Sequence, residues 1–262
     1  MMYSTQKEWQ DYYNSVKSEN WPPCETELHI RFLPDAVRRE LKKLGYNFFQ
    51  RYNKTWTTTG IDKFNVLFHD ELDGGGTDFG RDYALLIKKH YPERIFNTCL
   101  DWCSGPGFIG LDILSHRLCK NVCLLDMNWE AIDYAEQTIA NNNLKDKVYS
   151  YLLRNLELLP ADEQFDLVVS NSPHFNERRY YYGEAPIFTD PEFGSHKTFF
   201  KQIKKHLSPD GIILLQQYSG TLDANTFEKD LEQAGLKITN TYPLTSKDYK
   251  ITGLFYLEIV HI

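Results

Sequence analysis

Long apolar runs are missing from this chain: no stretch of about 18 apolar residues occurs anywhere, which leaves no segment that reads as a membrane-spanning helix. The opening "MMYSTQKEWQ" lacks the apolar segment of a secretion signal, so the expected location is cytoplasmic, with no membrane partner. Cysteine is sparse, with five residues, Cys24, Cys99, Cys103, Cys119 and Cys123. The last four sit in or beside apolar runs, as buried and reduced thiols do. The pairs Cys99/Cys103 and Cys119/Cys123 invite a zinc reading, yet residues four apart on a strand lie too far apart for one tetrahedral ion, and no metal is expected. Excess positive charge is absent as well: 29 Lys and Arg face 36 Asp and Glu, for a formal charge of -7. General attraction to a phosphate backbone is therefore not built into the whole surface, although a local basic groove stays open. Repeats at a period of about 20 to 50 residues and low-complexity tracts are lacking too.

The 262 residues are 42% hydrophobic, 25% charged and 15% aromatic, a globular composition on the aromatic side of average. Such a length suits one large domain with an appendage. From residue 96 onward, short apolar runs alternate with longer amphipathic ones. The pattern predicts strand "FNTCLDW", helix about 107–119, strand "NVCLLD", helix about 128–142, strands "VYSYLL" and "FDLVVS", helix about 195–207, strand "GIILLQQ" and helix about 222–234. That alternation is a parallel α/β sheet. In "NWEAIDYAEQTIANNN", Asn128 is the predicted cap and Ala131, Tyr134, Ala135, Thr138 and Ile139 share one face. The terminal runs "LKITNTYPL" and "GLFYLEIVHI" are too close for a helical crossover, so the last strand is expected antiparallel to its neighbour. Residues 1–70 scatter aromatic side chains through charged sequence, with one clear helix in "LPDAVRRELKKLG". They read as a mainly helical cap and substrate-recognition region over a main domain of residues 71–262.

The chemistry gathers around "LDWCSGPGFIG". A strand delivers Asp101 to its carboxyl end, where ligands bind in open α/β sheets. Gly105 and Gly107 let the backbone come close to a ligand, and Gly110 lets the next helix pack on the strand. An acid beside such a turn repels a pyrophosphate, the group that a nicotinamide cofactor would bring, and suits a cationic one. Asp126 ends the next strand, 19 residues after Gly107 (126 − 107), where a carboxylate accepts ribose hydroxyls.

With these residues the chain resembles class I S-adenosylmethionine-dependent methyltransferases over roughly residues 72–262. The resemblance implies a seven-stranded Rossmann-like doubly wound sheet with an antiparallel C-terminal hairpin strand and S-adenosylmethionine as cofactor. It makes Asp101 the partner of the donor's amino-acid part, Asp126 the ribose ligand and Met127 a neighbour of adenine. Asn155 stands nearest the position of an adenine-contacting acid, and Thr77 lies in the loop that often touches the cofactor; a hinge reading of "GGGT" is equally open.

"SNSPHF" after the fourth strand resembles the Asn-Pro-Pro-aromatic motif of amino-group methyltransferases. The Asn171 side-chain oxygen and the Ser172 carbonyl would accept the two N–H groups of a poorly nucleophilic nitrogen, with its lone pair aimed at the methyl carbon. Pro173 would hold that carbonyl, and His174 or Phe175 would stack on the acceptor plane. Ser172 and His174 stand where the motif has proline and Tyr or Phe. His174 is thereby either a platform or a general base. In the long run "NERRYYYGEAPIFTDPEFGSH", Arg178 could clamp an anion and Tyr181 flank a ring, or the segment packs on the cap. The leading expectation is a nitrogen methyltransferase (EC 2.1.1), with a protein or small molecule favoured over RNA as acceptor and a homodimer left open. A catalytically silent, partner-binding relative is the alternative, and a nicotinamide-dependent oxidoreductase the third.

Overall fold

The computed structural model describes residues 57–61, 63–68, 72–74, 76–176, 189–246 and 253–262. Strands β1 (Thr57–Ile61) and β2 (Phe64–Phe68) form an antiparallel ribbon. Then follow α1 (Gly76–His90), β3 (Phe96–Trp102), α2 (Phe108–Ser115), β4 (Cys119–Asp126), α3 (Trp129–Asn141), β5 (Val148–Leu152) and a 3-10 turn at Leu156–Leu158. The chain continues through β6 (Phe165–Ser170), α4 (Gly194–Ile203), β7 (Leu207–Tyr218), α5 (Glu228–Ala234), β8 (Leu236–Pro243) and β9 (Leu254–His261). The main sheet has the order β5-β4-β3-β6-β7-β9-β8, and β9 runs antiparallel to both β7 and β8. The pattern's parallel α/β sheet with an antiparallel last strand is present, and its seven-stranded Rossmann-like architecture is the one the resemblance implies.

The central strands are apolar on both faces because helices cover both. Cys99, Val122, Leu124, Leu167 and Val169 join Ile87 of α1, Leu111 of α2 and Ile139 of α3 in one core cluster. Side chains of opposite parity point the other way. There Trp102 stacks on Phe199 of α4 at 3.9 Å between ring centres and 10° between planes. Helix α3 starts as expected, with Asn128 Oδ1 accepting the Glu130 amide at 3.0 Å. Ala131, Tyr134, Ala135, Thr138 and Ile139 are all buried, and Asn143 takes the left-handed exit at φ 55°.

Several boundaries differ from expectation. The glycine-rich stretch before residue 80 is not all loop, because α1 begins at Gly76. A Cβ at Gly76 would lie 2.5 Å from Phe108 and one at Gly80 3.4 Å from Ile109, so these glycines let α1 cross tightly over the start of α2. Helix α2 stops at Ser115, short of 119, as Arg117 turns left-handed at φ 58°. Helix α4 ends at Ile203 rather than 207, and the His206 carbonyl already accepts the Phe165 amide at 2.7 Å. Helix α5 begins at Glu228 rather than 222: Asp223 Oδ1 accepts the Asn225 amide at 2.8 Å, and such a local bond diverts the backbone from helix.

Within residues 1–70, the described part is ribbon and not helix. The ribbon docks on α3, where Asn142 Oδ1 accepts the Asn65 amide at 3.1 Å and Thr138 Oγ1 accepts the Leu67 amide at 3.0 Å. Residues 57–68 therefore go with the sheet. The helix "LPDAVRRELKKLG" and most of the aromatic residues of the proposed cap lie outside the described residues.

Candidate active site

Strand β3 is flanked by β4 on one side and β6 on the other, so the chain reverses its direction of travel across the sheet at the β3–β6 seam. A crevice opens at the carboxyl ends of strands at such a point. Ser170 Oγ donates to the Trp102 carbonyl at 2.6 Å and closes the seam's floor, while the Tyr83 hydroxyl of α1 donates to the Ser170 carbonyl at 2.5 Å. The loop from Cys103 to Gly107 and the loop from Asn171 onward leave from the two sides of this seam.

Three glycines shape the first loop for three reasons. Gly105 has φ 53°, and a Cβ there would approach only the Leu72 carbonyl, at 3.5 Å, so backbone conformation and open space set its identity. Gly107 has φ 94°, and its Cβ would stand 2.8 Å from Leu124; packing on β4 constrains this residue, beyond the ligand proximity the sequence suggests. At Gly110 a Cβ would meet Val122 at 2.7 Å and Asp101 Oδ2 at 3.1 Å.

Asp101 is fully buried. Its Oδ2 accepts the Gly110 amide at 2.8 Å, and its Oδ1 has no partner among the described residues. Burial pushes its pKa up to about 7; the Gly110 amide works against the rise and the nearby Asp126 adds to it. A buried acceptor without a donor is a place for a ligand's N–H, and this is the fit expected for the ammonium of S-adenosylmethionine. Asp126 is half-buried, with Oδ2 accepting the Gly105 amide at 2.8 Å and Oδ1 the Asn128 amide at 2.7 Å. Burial raises its pKa against those amides. Each oxygen keeps a lone pair for a hydroxyl. Met127 beside it is 37% exposed, a large apolar side chain on the surface.

Asn155 follows β5, and its Oδ1 caps the 3-10 turn by accepting the Glu157 amide at 3.1 Å, which leaves that oxygen one further lone pair. Thr77 lies in the first turn of α1 rather than in a hinge.

On the other side of the seam, Asn171 Nδ2 donates to the Gly74 carbonyl at 2.9 Å. That bond fixes which end of the amide is which, and turns Oδ1 the opposite way. Ser172 is buried, with its Oγ 2.8 Å from His196 Nε2. Pro173 and His174 are half-buried and Phe175 is 37% exposed. The His174 pKa is lowered to about 4, by burial first and the neighbouring His196 second, with Gln217 opposing. The ring is thus neutral near pH 7, which suits a platform and makes it a weak base. Arg178 and Tyr181 lie outside the described residues.

Sequence reasoning missed Gly74, Tyr83, Ser170, Asp190, His196 and Gln217. Asp190 was read as part of the long run, and His196 stood where that run meets the helix expected from about 195; the structure opens α4 at Gly194. A histidine just ahead of "KTFF", on the face that carries Phe200, was the available signal.

The family model described as methyltransferase small domain matches residues 65–235. This chain belongs to that family. It has the class I S-adenosylmethionine-dependent methyltransferase fold, with S-adenosylmethionine as its cofactor. The chain is 26% identical over 186 residues to the release factor glutamine methyltransferase of Clostridium acetobutylicum, covering 61% of this chain and 64% of that protein. Against the ribosomal RNA small subunit methyltransferase C of Actinobacillus succinogenes the identity is 28% over 151 residues, covering 53% and 42%. The chain thus spans less than two thirds of the length of either relative. Among solved structures, M. jannaschii TYW2 in complex with AdoMet superposes with a TM-score of 0.55 at 15% identity, covering 80% of this chain and 88% of that one. This likeness is one of fold. Among the described residues no helix is long and apolar enough to cross a membrane.

Proposed function

We propose that this methyltransferase transfers its methyl group to a nitrogen of a planar acceptor, a glutamine-like side-chain amide or an exocyclic amine carried by a protein or small molecule. The observation that carries the reading is the Asn171 amide, held by the Gly74 carbonyl so that Oδ1 is the end left to receive an N–H at the β3–β6 seam. A relative named for glutamine methylation supports the same acceptor chemistry.

When bound, S-adenosylmethionine would supply a methyl carbon activated by its sulfonium: the new C–N bond would form as the S–CH3 bond breaks with its electron pair left on sulfur, and the nitrogen's proton would pass to solvent. The chain's own residues bind and orient. Asp101 Oδ1 would receive the donor's ammonium, and Asp126 would receive the ribose hydroxyls on lone pairs that the Gly105 and Asn128 amides leave free. Met127 would neighbour the adenine. Asn171 Oδ1 and the Ser172 carbonyl take the two acceptor N–H groups, which withdraws the nitrogen's lone pair from conjugation and aims it. Neutral His174 and Phe175 are flat walls for the acceptor plane.

The test is incubation with methyl-labelled S-adenosylmethionine and fractionated cell extract. Label entering protein or metabolites supports the reading. Label confined to RNA replaces the acceptor class, and cofactor binding with no transfer to any fraction makes the chain a silent relative. Asn171→Ala should lower turnover about 100-fold, the scale of losing an aligned acceptor, with cofactor affinity unchanged. Full activity in that variant removes the orienting role.

A further inference from the structure

Beneath the acceptor loop lies a chain of three buried polar side chains that the cofactor site does not use. Ser172 Oγ is 2.8 Å from His196 Nε2, and His196 Nδ1 is 2.6 Å from Asp190 Oδ2. Asp190 also accepts the amides of Ser195 at 2.9 Å and His196 at 3.1 Å, which anchors it to the first turn of α4. Nδ1–H donates to the carboxylate, which leaves Nε2 of the neutral ring as the acceptor and the Ser172 hydroxyl as the donor. Gln217 Nε2 lies 3.2 Å from the same nitrogen. The imidazole cannot swing, because it stacks on Phe227 at 5.0 Å and 12° and meets the edge of Trp102 at 5.6 Å and 89°.

The order Ser–His–Asp is that of a hydrolytic triad, but Ser172 is only 1% exposed and no external carbonyl reaches its oxygen. What the array does hold is the residue whose own carbonyl faces the acceptor in the function proposed above. Within residues 171–176, only Pro173 has a ring-fixed φ. The Ser172 amide makes no hydrogen bond among the described residues, so its side chain is what ties it down.

We infer that Asp190 and His196 are positioning residues that hold the Ser172 backbone through its hydroxyl and so fix the carbonyl that binds the acceptor N–H. This rests on the function proposed above. A buried, directional chain of hydrogen bonds does for residue 172 what a proline ring would do by covalent restraint.

The experiment uses the full chain and compares wild type, His196→Phe, Ser172→Pro and the double variant. Hydrogen exchange of residues 171–176, methyl transfer to the extract fraction that accepts label, and calorimetric titration with S-adenosylmethionine are the readouts. His196→Phe keeps the ring stack but removes the ring's contacts with Ser172, Asp190 and Gln217; it should speed exchange in the segment about tenfold and lower turnover by a similar factor, with cofactor affinity within about twofold. In the Ser172→Pro background, where the ring restrains the backbone, the same substitution should cost less than about threefold in turnover. Equal losses in both backgrounds, or unchanged exchange and turnover in His196→Phe, would overturn the inference. Asn171→Ala serves as the separate control: if that variant stays active the acceptor reading fails, while exchange in the segment still decides the array.

Discussion

The loop after β3 and the loop after β6 face each other across one seam, yet they are held by opposite means. The first is gripped at its backbone: positive φ at Gly105 and Gly107, and the carboxylates of Asp126 and Asp101 accepting the Gly105 amide and the Gly110 amide of the helix that follows. The second is gripped at its own side chains, the Asn171 amide by the Gly74 carbonyl and the Ser172 hydroxyl by His196. A loop that binds one invariant donor gains from backbone rigidity, because nothing about its ligand changes. A loop that recognises an acceptor is better held by side chains, which substitution can retune without refolding the turn.

That contrast can be broken in three ways. The largest effect is expected at the carboxylate. Asp101→Ala should weaken S-adenosylmethionine about 100-fold, the scale of losing a charge-assisted bond, when titrated calorimetrically. The pH dependence has a defined sign. Burial raises the Asp101 pKa to about 7, so between about 4 and 7 the folded chain holds a proton that the unfolded chain has lost, and this carboxyl's contribution to stability falls as pH rises through that window. Only the ionised form attracts an ammonium. Affinity should therefore rise from about pH 6 to 8 in the wild type and stay flat in Asp101→Asn; parallel curves would show that Asp101 does not meet the charge.

The second effect concerns the glycines. Gly107→Ala combines a left-handed backbone with a 2.8 Å approach to Leu124 and should cost about 2–3 kcal/mol in urea denaturation. Gly105→Ala meets no such contact and should cost about 1 kcal/mol while weakening the cofactor more. Equal destabilisation would erase the distinction between the two positions. The smallest effect belongs to the second loop: His174→Phe should keep turnover within about threefold, with an unaltered pH profile above about 6, because the neutral ring acts by its shape. Loss of an ascending limb near pH 4, where the ring gives up its proton, would instead make His174 a base.

What could be read in advance follows the same division. Asp101, Asp126 and the three glycines lie within 26 residues of sequence (101 to 126), and their constraints are local, so the pattern of acid, turn and helix was legible. The sheet was legible for a related reason, since strands buried on both faces read as apolar runs such as "CLLD". Asn171, Ser172 and Pro173 were visible as a motif, but their supports were not: Gly74 is 97 residues from Asn171 and His196 is 24 from Ser172. Helix α1 was hidden because consecutive glycines signal a loop, whereas Gly76 and Gly80 serve a tight helix crossing. The start of α5 was hidden by an Asp223 turn whose competition with helix has no periodic signature.

The strip from Leu72 to Gly74 borders both loops of the crevice. Its first carbonyl stands over Gly105 in the one, and its last grips the Asn171 amide of the other. On the function proposed above, either guest would steady the strip for its neighbour, and thermodynamic reciprocity would give both the same gain in affinity, with no order of arrival imposed.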